Sequence, residues 1–284
     1  MGHVSVKEIL HMADKANTSV ISFICIDYNM VYSVVKTAEK TNTPAIVMLL
    51  PEHHQGYNTS GLGGFAAMAK ELADSVQVPI GIHLDHSYDY AGVMKAIHLG
   101  FPSVMIDGSA KPLEENIALT RKVTETAHIM GVDVEAELGH VGLASDSDGD
   151  KKEFYTQPET AEYFCRETGI DSLTISIGNA HGVYAETPHL DIARLEEINA
   201  AVEVPLVLHG GSGIPDEQLE IAFTKGINKF NVGTEFLGVY YDAVSEYVSL
   251  QKNNEKELKM LDVPLFVQAE MEAYLEMKLK LSRF

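Results

Sequence analysis

The chain has 284 residues, 45% of them hydrophobic, and a formal net charge of −20 at pH 7. Its length suits one large domain or two small ones, and its apolar share is ordinary for a globular protein with a full core. Nucleic acids and anionic membranes bind basic surfaces, so the strongly acidic balance argues against both as partners.

Short runs of β-branched residues alternate with helical patterns along most of the chain. Five strands are predicted in the first half, each followed by a helix, at 20–27, 45–50, 79–84, 103–106 and 132–138. Gly100 and Gly131 fit the C-terminal ends of two of these helices, because glycine readily adopts the left-handed conformation found there.

A polar stretch, 140–157, follows the fifth predicted strand. Thr156 and Glu159 have the spacing of a capping box and predict the start of the next helix, with a proline inside its first turn. Three more strands are predicted, at 173–177, 204–208 and 227–232. The C-terminal remainder is predicted to be mostly helical and to pack on a partner subunit.

These eight strand–helix units predict the fold class. Strands that alternate with helices form a parallel sheet, and eight such units close into a (β/α)8 TIM barrel. An open doubly wound sheet would need a glycine-rich turn after its first strand, and residues 24–30 contain no glycine. We therefore expect a single domain over 1–284, with a C-terminal helical extension.

Targeting and redox signals are absent from the sequence. The first residues lack the basic-then-apolar order of a signal peptide. The apolar run 45–50 is far shorter than the roughly 20 residues that cross a bilayer. Cys25 and Cys165 are isolated and give no disulfide framework. A cytoplasmic protein is expected.

Polar residues recur where six consecutive strands end. The active groups of β/α barrels lie at the C-terminal ends of the strands, so side chains from these positions are expected to converge on one rim. Core packing alone does not account for such a constellation. Its members are Asp85, His86, Asp107, Glu135, Glu137, Asn179, His181, His209, Asn231 and Thr234.

Three of these residues predict a metal site. His86, His181 and His209 at matching strand ends offer three imidazoles around an open position, the usual arrangement of catalytic zinc, although each histidine alone could be structural. Glu137 is either an alternative ligand or an acceptor that fixes an imidazole tautomer. Asp85, beside the site, is a candidate proton-transfer group or an orienting partner of a histidine.

Two glycine-rich loops predict an anion site. Gly210–Gly213 and Asn231–Thr234 follow the seventh and eighth strands, where barrels of this kind commonly bind phosphate. Backbone N–H groups and a helix N-terminus can hold the anion there, so an acidic protein needs no lysines for it. Plain tight turns are the alternative explanation.

Two other features are given no functional role. The segment Asp146–Asp150 is similar to a calcium loop, but its glycine and its twelfth position depart from the EF-hand pattern. His53 and His54 are interpreted as part of a solvated loop.

Six motifs in order resemble those of the class II, zinc-dependent ketose-bisphosphate aldolases, which include fructose- and tagatose-bisphosphate aldolases. They are His83–His86, Met105–Ser109, Val134–Gly139, Gly178–Tyr184, Val207–Gly213 and Asn231–Glu235. The resemblance implies a homodimer or homotetramer that holds one Zn²⁺ per subunit on His86, His181 and His209. It makes Asp85 the proton-transfer acid and Asp107 an outer partner of the metal site.

The same resemblance implies a substrate site for the phosphate of dihydroxyacetone phosphate. A monovalent cation, Na⁺ or K⁺, is expected near that phosphate. The implied reaction is the reversible retro-aldol cleavage of a ketose phosphate, in which zinc acts as a Lewis acid. The substrate-binding residues would be Gly182, Gly210, Gly211, Ser212, Asn231, Val232, Gly233 and Thr234.

The chain departs from the family pattern around the substrate. Ile24 stands where relatives have an asparagine, Leu50 replaces a serine or threonine, and no lysine follows His181-Gly182. Ser145, with Asp146 and Asp148 nearby, aligns with the acidic residue of a mobile loop. The Gly-Ser chain end of the family is also missing. These changes suggest a substrate with one phosphate, a ketose 1-phosphate, in preference to fructose 1,6-bisphosphate.

The sequence leaves two alternative functions. One is a zinc hydrolase on the same barrel, although a His-X-His on the first strand is missing at 24–26. The other is a sugar-phosphate-binding protein that has lost catalysis, against which the presence of Asp85 argues.

Overall fold

Eight parallel strands form the centre of the protein. The computed structural model describes residues 2–55, 61–139, 141–142, 154–184, 186–253, 259 and 262–284. The strands are β1 Val20–Ile24, β2 Ala45–Leu49, β3 Ile80–Ser87, β4 Ser103–Ile106, β5 Asp133–Leu138, β6 Ser172–Ile175, β7 Leu206–Leu208 and β8 Ile227–Val232.

The sheet closes on itself. Each strand pairs with the next in chain order, and β1 also pairs with β8, with Ile21 opposite both Ala45 and Phe230. Helices connect the strands, as the right-handed crossover of parallel strands requires. The predicted (β/α)8 barrel is therefore confirmed.

The helices of the described ranges are α1 Val6–Lys15, α2 Tyr28–Thr41, α3 Pro51–Gln55, α4 Leu62–Asp74, α5 Tyr90–His98, α6 Leu113–Ile129, α7 Pro158–Thr168, α8 Ile192–Ala201, α9 Asp216–Thr224, α10 Thr234–Lys252 and α11 Asp262–Leu279. The sequence analysis missed α1 and α3. On α1, the buried side chains of Val6, Ile9 and Leu10 pack against Val20 and Ile46. This helix therefore covers the N-terminal end of the barrel.

Two strand boundaries differ from the prediction in a way that shapes the site. β1 ends at Ile24, before Asp27, whose Oδ1 accepts a hydrogen bond from the Met30 N–H at 2.9 Å and caps α2. β3 continues to Ser87, so Asp85 and His86 lie within the strand. Its pairing with β4 shifts register between Leu84 and Ser87, and such irregularities redirect side chains next to active sites.

The predicted capping box of α7 is wrong. Gln157 is the N-cap residue, and its side chain makes no cap hydrogen bond. The Thr156 hydroxyl instead donates to the Leu138 carbonyl and accepts from the Ser176 N–H at 2.9 Å. The side chain that should cap the helix thus joins the ends of β5 and β6.

The C-terminal extension packs on the barrel. Buried residues of α11, such as Met271 and Leu275, belong to the main hydrophobic core. Lys278 is 4% exposed, and its Nζ lies 3.3 Å from Glu235 and 3.5 Å from Asp216, at the starts of α10 and α9. The extension therefore supports the loops beneath the predicted anion site, and its contact with a partner subunit stays a prediction.

No helix in the described part of the chain is both long and apolar enough to cross a membrane. The cytoplasmic location stays a prediction.

Candidate metal centre and cavity

A cavity of about 650 Å³ opens at the C-terminal ends of the strands. Asp85 and His86 from β3, Asp107 after β4, Glu137 from β5 and His181 after β6 line it. His209, directly after β7, is fully buried beneath them. The structure thus brings the predicted metal and proton-transfer residues together at one rim.

Four side chains direct donor atoms at one point. One ligand atom from each of His86, Glu137, His181 and His209 lies within 4.8 Å of the others. The three imidazole ring centres are 4.9, 5.2 and 5.7 Å apart. Atoms that share one ion at about 2.1 Å can lie up to about 4.2 Å apart, so this group is close to a bonding arrangement.

Outer hydrogen bonds decide which imidazole nitrogens face this point. His86 Nδ1 lies 2.9 Å from Asp107 Oδ2, and His209 Nε2 lies 2.9 Å from Glu135 Oε1. Because a carboxylate only accepts, both nitrogens carry hydrogens. His86 Nε2 and His209 Nδ1 remain on the inner side and face each other at 3.1 Å, so a proton or a metal ion must lie between them. A divalent ion would replace the proton that otherwise joins the two nitrogens, so the residues fit a metal ion.

Glu137 adds a carboxylate to the same point. Its Oε1 accepts from the Val141 N–H at 3.1 Å, whereas Oε2 is buried without a hydrogen-bond partner in the described ranges. Oε2 lies 3.8 Å from His209 Nδ1. A buried oxygen without a donor fits a metal ligand, because leaving it unpaired costs free energy.

The titration behaviour of the cluster also favours a cation. Burial lowers the pKa of His86, but Asp85, Asp107 and Glu137 outweigh burial and raise it to about 10. Burial and the neighbouring imidazoles lower the pKa of His181 to about 3, so its lone pair stays free at neutral pH. The carboxylates that attract a proton to His86 would equally attract a metal ion.

A buried ion pair lies beneath the metal donors. Lys229 Nζ is 2.7 Å from Glu135 Oε2, and both side chains are at most 1% exposed. Glu135 Oε1 also accepts from the Thr174 hydroxyl at 2.9 Å. Lys229 and His209 lower the pKa of Glu135 well below its usual range, against the opposing effect of burial. Lysine thus keeps Glu135 ionised, so that the carboxylate can orient His209.

Asp85 is held as a carboxylate beside the metal donors. Burial raises its pKa, but positive charge at His86, His209 and Lys229 outweighs burial, and the pKa falls below its ordinary value. Asn231 Nδ2 lies 3.4 Å from Asp85 Oδ1. An ionised carboxylate at this position can accept a proton from a substrate hydroxyl.

The glycine loops form the opposite side of the cavity. Of the eight predicted substrate-binding residues, only Val232 is missing from the lining, because its side chain is fully buried in the core. Gly210 has a φ of 64°, and a Cβ there would collide with the Ala180 carbonyl oxygen. The chain therefore needs glycine where these loops approach each other. Phosphate binding here stays a prediction.

Two residues whose function the sequence analysis missed hold these loops. The Tyr184 hydroxyl accepts from the Ala180 N–H at 2.7 Å and donates to the Gly210 carbonyl at 2.8 Å. Asn179 Nδ2 donates to the His209 carbonyl at 3.1 Å. The polar character of Asn179 at a strand end was a usable signal, whereas Tyr184 gave none.

The wall formed by β1–β4 is poor in cations. The apolar side chains of Ile24 and Leu50 line the cavity, and no lysine or arginine is among the lining residues within the described ranges. His53, interpreted as solvated loop, instead lies on α3 and lines the cavity. Ser145, the position aligned with the acidic residue of the family, its neighbours Asp146 and Asp148, and the segment Asp146–Asp150 lie outside the described residues.

Comparisons with known proteins agree with this geometry. Residues 4–283 match the family described as fructose-bisphosphate aldolase class-II. The chain is 40% identical to the D-tagatose-1,6-bisphosphate aldolase subunit GatY of Klebsiella oxytoca over 246 residues. This alignment covers 86% of each protein.

Solved structures of other aldolases are also similar to this chain. The YdjI aldolase of Escherichia coli K12 superposes with a TM-score of 0.85 at 30% identity, covering 99% of this chain and 97% of that one. A fructose-bisphosphate aldolase of Campylobacter jejuni shares the fold, with a TM-score of 0.81, 23% identity, and coverage of 99% and 95%.

Proposed function

Because this chain belongs to the class-II fructose-bisphosphate aldolase family, we propose that its cavity cleaves a ketose phosphate at a zinc ion held by His86, His181 and His209. The chain is a class II aldolase, a carbon–carbon lyase acting on phosphorylated sugars. Family membership implies a metal ion, and the donor group described above fits one. One observation supports the metal most directly: two ring nitrogens, His86 Nε2 and His209 Nδ1, face each other at 3.1 Å and need a proton or a metal ion between them.

Different residues of the chain would have different roles in the reaction. The glycine loops after β6, β7 and β8 would bind the phosphate through backbone N–H groups. The bound ion would supply Lewis-acid polarisation of the substrate carbonyl. Asp85 would take the proton from the hydroxyl on the carbon that becomes the aldehyde, and would return it in the reverse reaction. The electron pair of the broken carbon–carbon bond would pass to the dihydroxyacetone phosphate half, which then takes up a proton at carbon. No lysine is required to form a Schiff base.

Removal of the metal tests this proposal. Dialysis of the protein against a chelator should abolish cleavage, and addition of Zn²⁺ should restore it, because the carbonyl is no longer polarised without the ion. Treatment with borohydride and substrate should leave the protein mass unchanged. A covalent adduct after borohydride, or full activity in metal-free protein, would contradict the proposal.

The substrate we propose carries one phosphate, at the dihydroxyacetone end. This rests on the cavity lining, where described residues supply glycine loops on one side and no lysine or arginine on the other. A second phosphate would lie close to Glu52, Asp85 and Asp107, and no lysine or arginine of the described cavity lining would balance its charge. Like charges placed together in a poorly solvated cavity repel strongly.

Paired substrates test the number of phosphates. We expect kcat/KM for a ketose 1-phosphate to exceed that for the matching 1,6-bisphosphate by about tenfold or more, because each 1.4 kcal/mol of repulsion changes the ratio tenfold. Fructose 1-phosphate and fructose 1,6-bisphosphate, and the tagatose pair, can be compared in one coupled assay for dihydroxyacetone phosphate. Comparable values for both members of each pair would argue against a single phosphate.

The remaining parts of the proposal concern assembly and ions. We propose one domain over 1–284, a homodimer or homotetramer, and a monovalent cation beside the phosphate. The segment around Ser145, in which Asp146 and Asp148 are the acidic residues, is proposed to supply a further proton-transfer acid. Retained turnover argues against a sensor without catalysis, so the metal experiment also separates the enzyme from that rival.

A further inference from the structure

His53 lies at the C-terminal end of β2, on the wall opposite the glycine loops. Leu49 is opposite Leu84 in the β2–β3 pairing, so the residues that follow it lie beside Asp85. Pro51 begins α3, as its fixed φ favours, and the His53 N–H donates to the Leu50 carbonyl at 3.0 Å. This single turn directs the His53 side chain to the cavity lining.

The His53 imidazole is polar, partly buried and unused by the protein. Its Nδ1 is buried and has no hydrogen-bond partner within the described ranges. Burial lowers the pKa of His53, although Asp85 and Glu52 oppose this, so the ring is neutral at physiological pH. A neutral imidazole offers one donor and one acceptor, the pair that a hydroxyl group complements.

The position of His53 selects the part of the substrate it can reach. A ketose phosphate with its phosphate on the glycine loops and its carbonyl at the metal donors extends its remaining carbons past Asp85. The wall there carries Glu52, His53 and Tyr88. Of these, Glu52 and Tyr88 are exposed to solvent, whereas His53 has a buried polar atom that needs a partner.

We propose that His53 is a specificity-determining residue that hydrogen-bonds a hydroxyl group of the aldehyde half of the substrate. This inference rests on the proposed aldolase function and deepens it, because it assigns the aldehyde half to the class of neutral hydroxyaldehydes. Recognition then depends on hydrogen bonds on one side of the bond that breaks and on phosphate binding on the other.

The condensation reaction tests this role with two aldehydes. With dihydroxyacetone phosphate as donor, His53→Ala should lower kcat/KM for glyceraldehyde about tenfold, since an unmatched polar group costs on the order of that factor. The value for propanal, which has no hydroxyl groups, should change little. His53→Asn keeps a polar atom near the Nδ1 position and should recover part of the preference for glyceraldehyde.

Two controls separate this role from a structural one. Proton exchange between dihydroxyacetone phosphate and solvent needs no aldehyde, and it should be unchanged in both His53 variants. His11→Ala, an exposed histidine on α1, should match the wild type in every assay. Equal losses for both aldehydes, or no loss for either, would overturn the inference while leaving the aldolase intact. A wild type that neither exchanges nor condenses would overturn the proposed function with it.

Discussion

Replacing Asp85 with asparagine should lower kcat for ketose phosphate cleavage by about 10²–10⁴-fold, the usual contribution of general acid–base catalysis. The amide keeps the shape of the side chain but cannot accept the substrate proton. Asp85 is buried, and its pKa is held below the ordinary value. Among the side chains that the structure describes, Asn231 alone donates a hydrogen bond to it, a weak one at 3.4 Å. These properties suit a general base, because the ionised carboxylate remains able to accept a proton from a substrate hydroxyl.

The Asp85 variant also separates catalysis from binding. Metal content and affinity for dihydroxyacetone phosphate should stay near those of the wild type, as measured by elemental analysis and calorimetry. Asp14→Asn, on the exposed side of α1, serves as the matched control. If Asp85→Asn lost its metal together with its activity, the residue would belong to the metal site, and the assignment of the proton transfer would fail.

The second large effect is expected at Lys229. Lys229→Met should lower the free energy of unfolding by about 3–5 kcal/mol, because it leaves the Glu135 carboxylate buried without its charge partner. Since Glu135 orients His209, the affinity for the divalent ion should also fall by about 10–100-fold. Urea unfolding of metal-free protein and competition with a chelator measure the two losses separately.

A double variant shows whether the unpaired charge is the cause. Glu135→Gln combined with Lys229→Met removes both charges, keeps an oxygen for the His209 N–H, and should recover most of the lost stability. Lys225→Met breaks an exposed pair with Glu196 and should cost at most about 1 kcal/mol. A double variant no more stable than Lys229→Met would show that lost packing, and not charge, explains the defect.

The sequence predicts the barrel and the metal donors for the same physical reason. Parallel strands end at one rim, so polar residues at successive strand ends must meet there, and His86, His181 and His209 do so. The prediction needed no exact boundaries, since His86 proved to lie within β3 and still belongs to the cluster.

The buried ion pair beneath the metal donors could not be predicted in this way. Alternation along a strand indicates that Glu135 points to one face, but it does not reveal that Lys229 on β8 reaches the same carboxylate across the barrel. Thr156 has the spacing of a capping residue, but its hydroxyl bonds the ends of two neighbouring strands instead. His53 was assigned to a solvated loop because one turn of helix is too short to show a hydrophobic period.

The lack of lysine and arginine among the described lining residues, on a protein of net charge −20, affects how a substrate arrives. Cationic funnels speed the capture of phosphorylated metabolites and lose that advantage as salt is added. Here the long-range field opposes an approaching dianion, and attraction begins only at the amide dipoles. Dissolved ions shorten the reach of the repulsion to about 8 Å at physiological strength, so encounters become more frequent, not rarer, in a saltier medium.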